Sequence, residues 1–104
     1  MGEVYRVNPL LSFRVDSLTD YRCPFDVLCI WGGDVDMYFK VFTPTSETDT
    51  MIRLNDSRRN PIYYKGYKWQ ALDVTPYPDT RVSPKQEDYV IKFMITKEGN
   101  QNQE

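Results

Sequence analysis

Hydrophobic and polar residues alternate with a period of two along most of this chain. Leu11, Phe13 and Val15 alternate with Ser12, Arg14 and Asp16, and Val35, Met37, Phe39 and Val41 with Asp36, Tyr38 and Lys40. Tyr89, Ile91, Phe93 and Ile95 do the same with Val90, Lys92, Met94 and Thr96. Successive side chains of a strand point to opposite faces, so each run predicts a strand with one face on a core. Ile52 and Leu54 flank Arg53 in a shorter strand, and Tyr67, Trp69 and Ala71 begin another. After Ala71 the apolar positions change phase to Leu72 and Val74, which predicts a β-bulge or a twist to the other face.

Turn-forming residues fill the gaps. Thr43-Pro44-Thr45-Ser46, residues 55–61 and Pro76-Tyr77-Pro78-Asp79-Thr80 put prolines in connections, where no ladder hydrogen bond is lost. No window carries a long helical period. Residues 83–88 suit a single helical turn, with Pro84 at its first position. Strands separated by turn signals fit a sandwich or a small barrel. The prediction is an all-β, immunoglobulin-like β-sandwich of six to seven strands over residues 1–96, with 97–104 a flexible polar tail.

At 104 residues one domain is expected, and 40% apolar residues support a core of modest size. The 13 basic and 15 acidic residues are mixed along the chain and leave a net charge of −2. No Lys/Arg block supplies the electrostatic footprint of a nucleic-acid partner. No apolar run reaches the roughly 18 residues of a membrane-spanning helix. Histidine is absent, which removes Ser-His-Asp triads, Cys-His nucleophiles and nearly every imidazole metal site. Neither a Gly-x-Gly-x-x-Gly run nor a phosphate loop occurs. A non-enzyme without metal or cofactor is the expectation.

Cys23 and Cys29, the only cysteines, bracket Pro24-Phe25-Asp26-Val27-Leu28. This spacing suits a disulfide that closes a short loop, worth about 2 kcal/mol in the chain-entropy model. A redox-active dithiol more often has two intervening residues at a helix N-terminus, whereas the residues after Cys29 read as a strand. Trp31 is expected to pack over the sulfurs. A disulfide implies an oxidising compartment, yet Met1-Gly2-Glu3-Val4-Tyr5 has neither the basic nor the apolar region of a signal peptide. Either the leader of an exported precursor lies outside this chain, or the protein is cytosolic with two reduced thiols. A close pair without metal partners favours export.

Asp16, Asp20, Asp26, Asp34 and Asp36 gather around the same loop. Asp34 and Asp36 share one side of a strand and could hold calcium with backbone carbonyls. Their spacing fits no calcium loop, Arg22 and Lys40 stand near enough to neutralise them, and a solvated polar face is expected. Glycoside hydrolysis by a carboxylate pair would need a cleft that so small a sandwich hardly offers. Tyr63, Tyr64 and Tyr67, close to Trp69, are candidate ligand-binding aromatics that could stack on sugar rings or meet a protein. The plainer alternative puts Tyr67 and Trp69 in the core and Tyr63 and Tyr64 on an edge strand. The loops 55–61 and 76–80 could be presented to a protease cleft.

Asp20-Tyr21-Arg22-Cys23-Pro24 followed by Val27-Leu28-Cys29-Ile30-Trp31-Gly32-Gly33 resembles a signature of small uncharacterised bacterial exported proteins, often lipoproteins of the Bacteroidetes type. Gly66-Tyr67-Lys68-Trp69, Leu72-Asp73-Val74-Thr75-Pro76-Tyr77-Pro78 and Asp88-Tyr89-Val90-Ile91-Lys92-Phe93 resemble that family's last two strands, so the likeness spans most of residues 13–96. The stretch Asp16-Ser17-Leu18-Thr19-Asp20 is longer than the family pattern, and a first edge strand is missing or confined to Val4-Tyr5-Arg6-Val7. The resemblance implies export and the disulfide, and it brings no activity. The functional expectation is a non-catalytic binding or structural module of the bacterial cell envelope or periplasm. Its partner would be an unidentified protein or glycan, with membrane tethering through a leader outside this chain. A carbohydrate-binding module on the tyrosines and a protease-inhibitor-like loop presenter are the alternatives.

Overall fold

In the computed structural model, which describes residues 2–98, the alternating runs pair into two antiparallel sheets. The first holds β1 (Val4–Asn8), β2 (Leu11–Asp20), β3 (Val35–Phe42) and β4 (Glu47–Arg53) in sequential order. The second holds β5 (Ile62–Tyr64), β6 (Tyr67–Thr75) and β7 (Val90–Lys97), again in sequence. Four strands and three make a two-sheet β-sandwich; the strand numbers are those of an immunoglobulin domain, but each sheet is a sequential meander in place of that domain's Greek-key connections. The expected polar tail falls outside the described residues from position 99 onward. Lys97 still belongs to β7, and Glu98 N–H donates to the Gly66 carbonyl at 2.9 Å.

The core follows from the alternation. Leu11, Phe13 and Val15 of β2, Val35, Met37, Phe39 and Val41 of β3, and Ile52 of β4 are buried against Trp69, Ala71 and Val74 of β6. Trp69 lies edge-on to Phe13 at 5.5 Å and tilted to Phe39 at 5.9 Å, while its indole N–H donates to the Tyr64 carbonyl at 3.0 Å. Phe93 of β7 completes the inter-sheet cluster, 5.9 Å from Phe13 and 6.1 Å from Phe39. Such aromatic pairs add to the burial of their area.

Each sheet contains a bulge that reverses the inward phase. In β6 the register shifts between Ala71 and Asp73, so Ala71 and Val74 face the core while Leu72 is turned outward, 40% exposed. In β2 it shifts between Val15 and Ser17, which places Leu18 inward after Val15. The stretch 16–20 is therefore the second half of a long strand. The single helical turn is Gln86–Asp88, capped by Lys85, and Pro84 precedes it instead of opening it.

Side-chain amides replace backbone where a strand stops short. β1 pairs with β2 no further along than Arg14. Beyond that point Gln86 accepts from Leu18 N–H at 2.9 Å and donates to the Leu18 carbonyl at 3.1 Å. Asn60 does the same for Ala71, accepting from its N–H at 3.0 Å and donating to its carbonyl at 2.9 Å, and it also donates to the Leu54 carbonyl. Pro61, which has no N–H, could not provide that pairing. Asn60→Ala leaves the Ala71 backbone groups without partners in a buried place and is expected to lower the unfolding free energy by about 2 kcal/mol in urea denaturation.

Candidate functional site

Beyond Asp20 the β2–β3 hairpin continues as an irregular two-armed loop. Tyr21 N–H donates to the Asp34 carbonyl at 2.9 Å and Cys23 N–H to the Gly32 carbonyl at 2.8 Å. The arms close on each other at Gly33, whose φ is +71°, and a Cβ there would stand 1.9 Å from the Tyr21 carbonyl oxygen. Only glycine fits both the left-handed backbone and that approach. Cys23 and Cys29 are joined, with Cα atoms 6.0 Å apart, and pin the far end of the loop.

The tip of this loop is apolar and exposed. Leu28 and Ile30 are fully open at 101% and 108%, Phe25 and Trp31 stand 69% exposed, and Val27 is also exposed. Residues 29–34 form no strand, and Trp31 stands largely in solvent. Its ring lies against Tyr21, with centroids 5.8 Å apart. The reason is geometric: β3 begins only at Val35, so Trp31 belongs to the loop and has no sheet face on which to pack.

The neighbouring loop, residues 76–89, braces the tip. Phe25 N–H donates to the Pro78 carbonyl at 3.1 Å, and the Asp26 carboxylate accepts from Thr80 N–H at 3.2 Å and from the Thr80 hydroxyl. The Arg81 guanidinium lies 5.8 Å from the Phe25 ring centre.

Beneath the tip, Arg22 is buried. Its Nε and Nη2 donate to the two Asp20 carboxylate oxygens, both at 2.8 Å, its Nη1 to the Val74 carbonyl at 2.7 Å, and Nη2 also to the Pro76 carbonyl at 2.9 Å. The Tyr89 hydroxyl donates to Asp20 at 3.2 Å, and Tyr77 lies 4.8 Å from the guanidinium carbon. One arginine thus ties the end of β2 in the first sheet to the end of β6 in the second.

The other carboxylates are structural as well. Asp34 and Asp36 are buried, not solvated, because the elements beside them supply donors. Asp34 accepts from Asn55 N–H at 3.0 Å and from Val35 N–H at 2.8 Å. Asp36 accepts from Arg53 Nε at 2.7 Å and Nη2 at 3.2 Å, and from the Tyr21 hydroxyl at 3.2 Å. Arg22 and Lys40, the expected neutralisers, are used elsewhere: Arg22 on Asp20, and Lys40 near Glu47 and Asp49 at 3.6 and 3.7 Å. Among the described residues no His/Cys/Asp/Glu group could hold a metal ion.

The three candidate tyrosines do not share a face. Tyr63 points outward from β5 and is 64% exposed. Tyr64 and Tyr67 lie opposite each other across the Lys65-Gly66 turn and pack half-buried against the core edge. The Tyr67 hydroxyl accepts from Asn8 at 2.8 Å, and Lys65 lies over the Tyr64 ring at 5.3 Å. A flat stacking platform is not what they present. Because four strands oppose three, a groove of about 480 Å³ opens between β1 and β7, lined by Tyr5, Phe13, Val15, Tyr89, Ile91 and Phe93.

The apolar tip and the buried Arg22 were not among the residues expected to form a site. Phe25, Val27, Leu28 and Ile30 stand in a segment whose cysteines and proline mark it as a loop, and apolar side chains that a loop cannot bury were the available signal. Nothing local marks Arg22, since its carbonyl partners are more than fifty residues away.

Two expectations follow from this geometry. Gly33→Ala forces the loop arms apart and is expected to cost about 3 kcal/mol or more in thermal or urea unfolding. Burial alone pushes the Asp20 carboxyl up, but its bonds from Arg22 and Tyr89 outweigh it and hold it below the usual carboxylate range. The Arg53 guanidinium, opposed by burial, likewise holds Asp36 low. Groups depressed in the folded state contribute stability above their unfolded pKa and lose it as pH falls through the folded value. The unfolding free energy should be level between about pH 6 and 8 and fall below about pH 4, more gently in Asp20→Asn. Comparison with family models, with curated proteins and with solved structures yields no match.

Proposed function

We propose that this protein is a non-catalytic, exported binding module whose contact surface is the disulfide-closed tip at residues 23–31. One observation carries the reading: Phe25, Val27, Leu28, Ile30 and Trp31 are all exposed within a single short loop that a disulfide holds in place. A soluble protein rarely gathers several large exposed apolar side chains on one loop without a use for them, since every such group adds an aggregation hazard. Here the exposure is also preorganised. The disulfide, the Gly33 approach and the bonds from Pro78 and Thr80 restrict the tip before any partner arrives, which lowers the ordering cost of association.

Export is supported by the same bond, because a seven-residue disulfide loop persists in oxidising compartments and is reduced in the cytosol. The likeness of the Arg-Cys-Pro segment to exported bacterial proteins points the same way. The carboxylates nearest the tip support a binding role over catalysis, since Asp20, Asp26, Asp34 and Asp36 are each committed to partners within the fold. Placing a photoreactive residue at Leu28 in the cells that make the protein should yield an adduct, while the same residue at Thr45, on the hairpin at the other end of β3, should yield none. Silence at Leu28, or equal labelling at both positions, would end the proposal.

A further inference from the structure

The chemistry of the tip narrows its partner. Resting on the tip as the contact surface, we infer that it docks on the interfacial zone of an uncharged lipid bilayer, with its apolar side chains inserted shallowly. Shape comes first. The apolar group is convex, with Leu28 and Ile30 projecting completely into solvent, so its receptor must close around separate prongs. A fluid interface does this without a preformed pocket.

Hydrogen bonding comes second. A specific protein interface carries about one hydrogen bond per 100–200 Å². The side chains of the tip have little to offer: the Asp26 carboxylate is occupied by Thr80, the cysteines are joined, and the rest are apolar except for the Trp31 indole. Aliphatic prongs surrounded by tryptophan and tyrosine are the composition that lipid interfaces favour. Trp31 flanks the prongs, backed by Tyr21, and Tyr77 is exposed on the bracing loop.

Charge and backbone then set the lipid type and the depth. The cations near the tip are already engaged, Arg22 by Asp20 and Arg81 by Asp79, so no free basic collar draws the tip to anionic headgroups. The N–H groups of residues 28–31 have no backbone partner among the described residues. They could not enter dry hydrocarbon, but water and headgroup carbonyls satisfy them at the roughly 5–10 Å depth of interfacial binding.

Co-sedimentation with phosphatidylcholine vesicles tests this, read together with tryptophan emission. The chain has 2 tryptophans, and Trp69 is completely buried, so a change of emission on adding vesicles reports Trp31. The wild-type protein should sediment with the vesicles and shift its emission to the blue, unaffected by about 0.5 M salt. L28D/I30D, altered at two fully exposed positions, should keep its melting temperature and partition at least about tenfold less, given the apolar carbons lost from each side chain. Three results would overturn the inference: wild-type protein left in the supernatant, binding that needs anionic lipid and is abolished by salt, or a double variant that binds equally well. If vesicles fail while the Leu28 photoprobe captures a protein, the tip remains a contact surface and only the bilayer is lost. If both fail, both readings fall.

Discussion

The pairing of Arg22 with Asp20 is the constraint on which the rest of this structure leans. The guanidinium is out of water, and its donors are shared among a carboxylate two residues earlier and two carbonyls at the exit of β6. A buried charge is tolerable only when both its Coulombic and its hydrogen-bonding needs are met, and losing one partner of such a pair costs several kcal/mol. At this end of the sandwich Arg22 does what Trp69 does in the middle: it holds one sheet to the other. Trp69 works through area and ring packing, and Arg22 through direction. The directional bond decides where the β2–β3 and β6–β7 loops emerge and therefore keeps them side by side.

That alignment turns an apolar loop into a supported tip. Phe25 and Asp26 reach Pro78 and Thr80 across the gap, so the disulfide loop rests against a second loop that is itself tied to Arg22 through Pro76. The chain keeps its polar groups inside the support and its apolar side chains outside, an inversion of the usual distribution. Asp34 and Asp36 fit the same scheme. Their burial by Asn55 and Arg53 secures the start of β3 and the crossover to the second sheet, and it leaves neither carboxylate free for chemistry.

The strands differ in how clearly the sequence announced them. β2, β3 and β7 follow from alternation alone, because one face of each lies on the core. The bulge in β6 was visible as a change of phase from Ala71 to Val74. Its counterpart at Asp16 was not, since the polar residues after Val15 hid the return of Leu18 to the interior. The first part of β4 was also hidden, since it lies on the sheet's outer edge and Glu47, Thr48, Asp49 and Thr50 have little apolar surface to reveal a period. β5 could be read only as a possible edge strand for Tyr63 and Tyr64, and its turn was hidden because Lys65 adopts a positive φ of 55° without being Asn or Gly, and only Gly66 hinted at a two-residue hairpin.

Local order was enough to determine the all-β class, the proline-marked connections, the cysteine pairing and most of the core, since each depends on spacing along the chain. What tertiary structure alone decided depends on distances the sequence does not contain. Arg22 meets Val74 and Pro76, Asn60 replaces a missing strand beside Ala71, and Gln86 covers Leu18. The same holds for Trp31, which a sheet face would have buried and which the late start of β3 leaves in solvent. Side-chain periodicity records which way a residue points on its own strand. It carries no information about what the other sheet brings opposite, and that is what separates the supported tip from an ordinary loop.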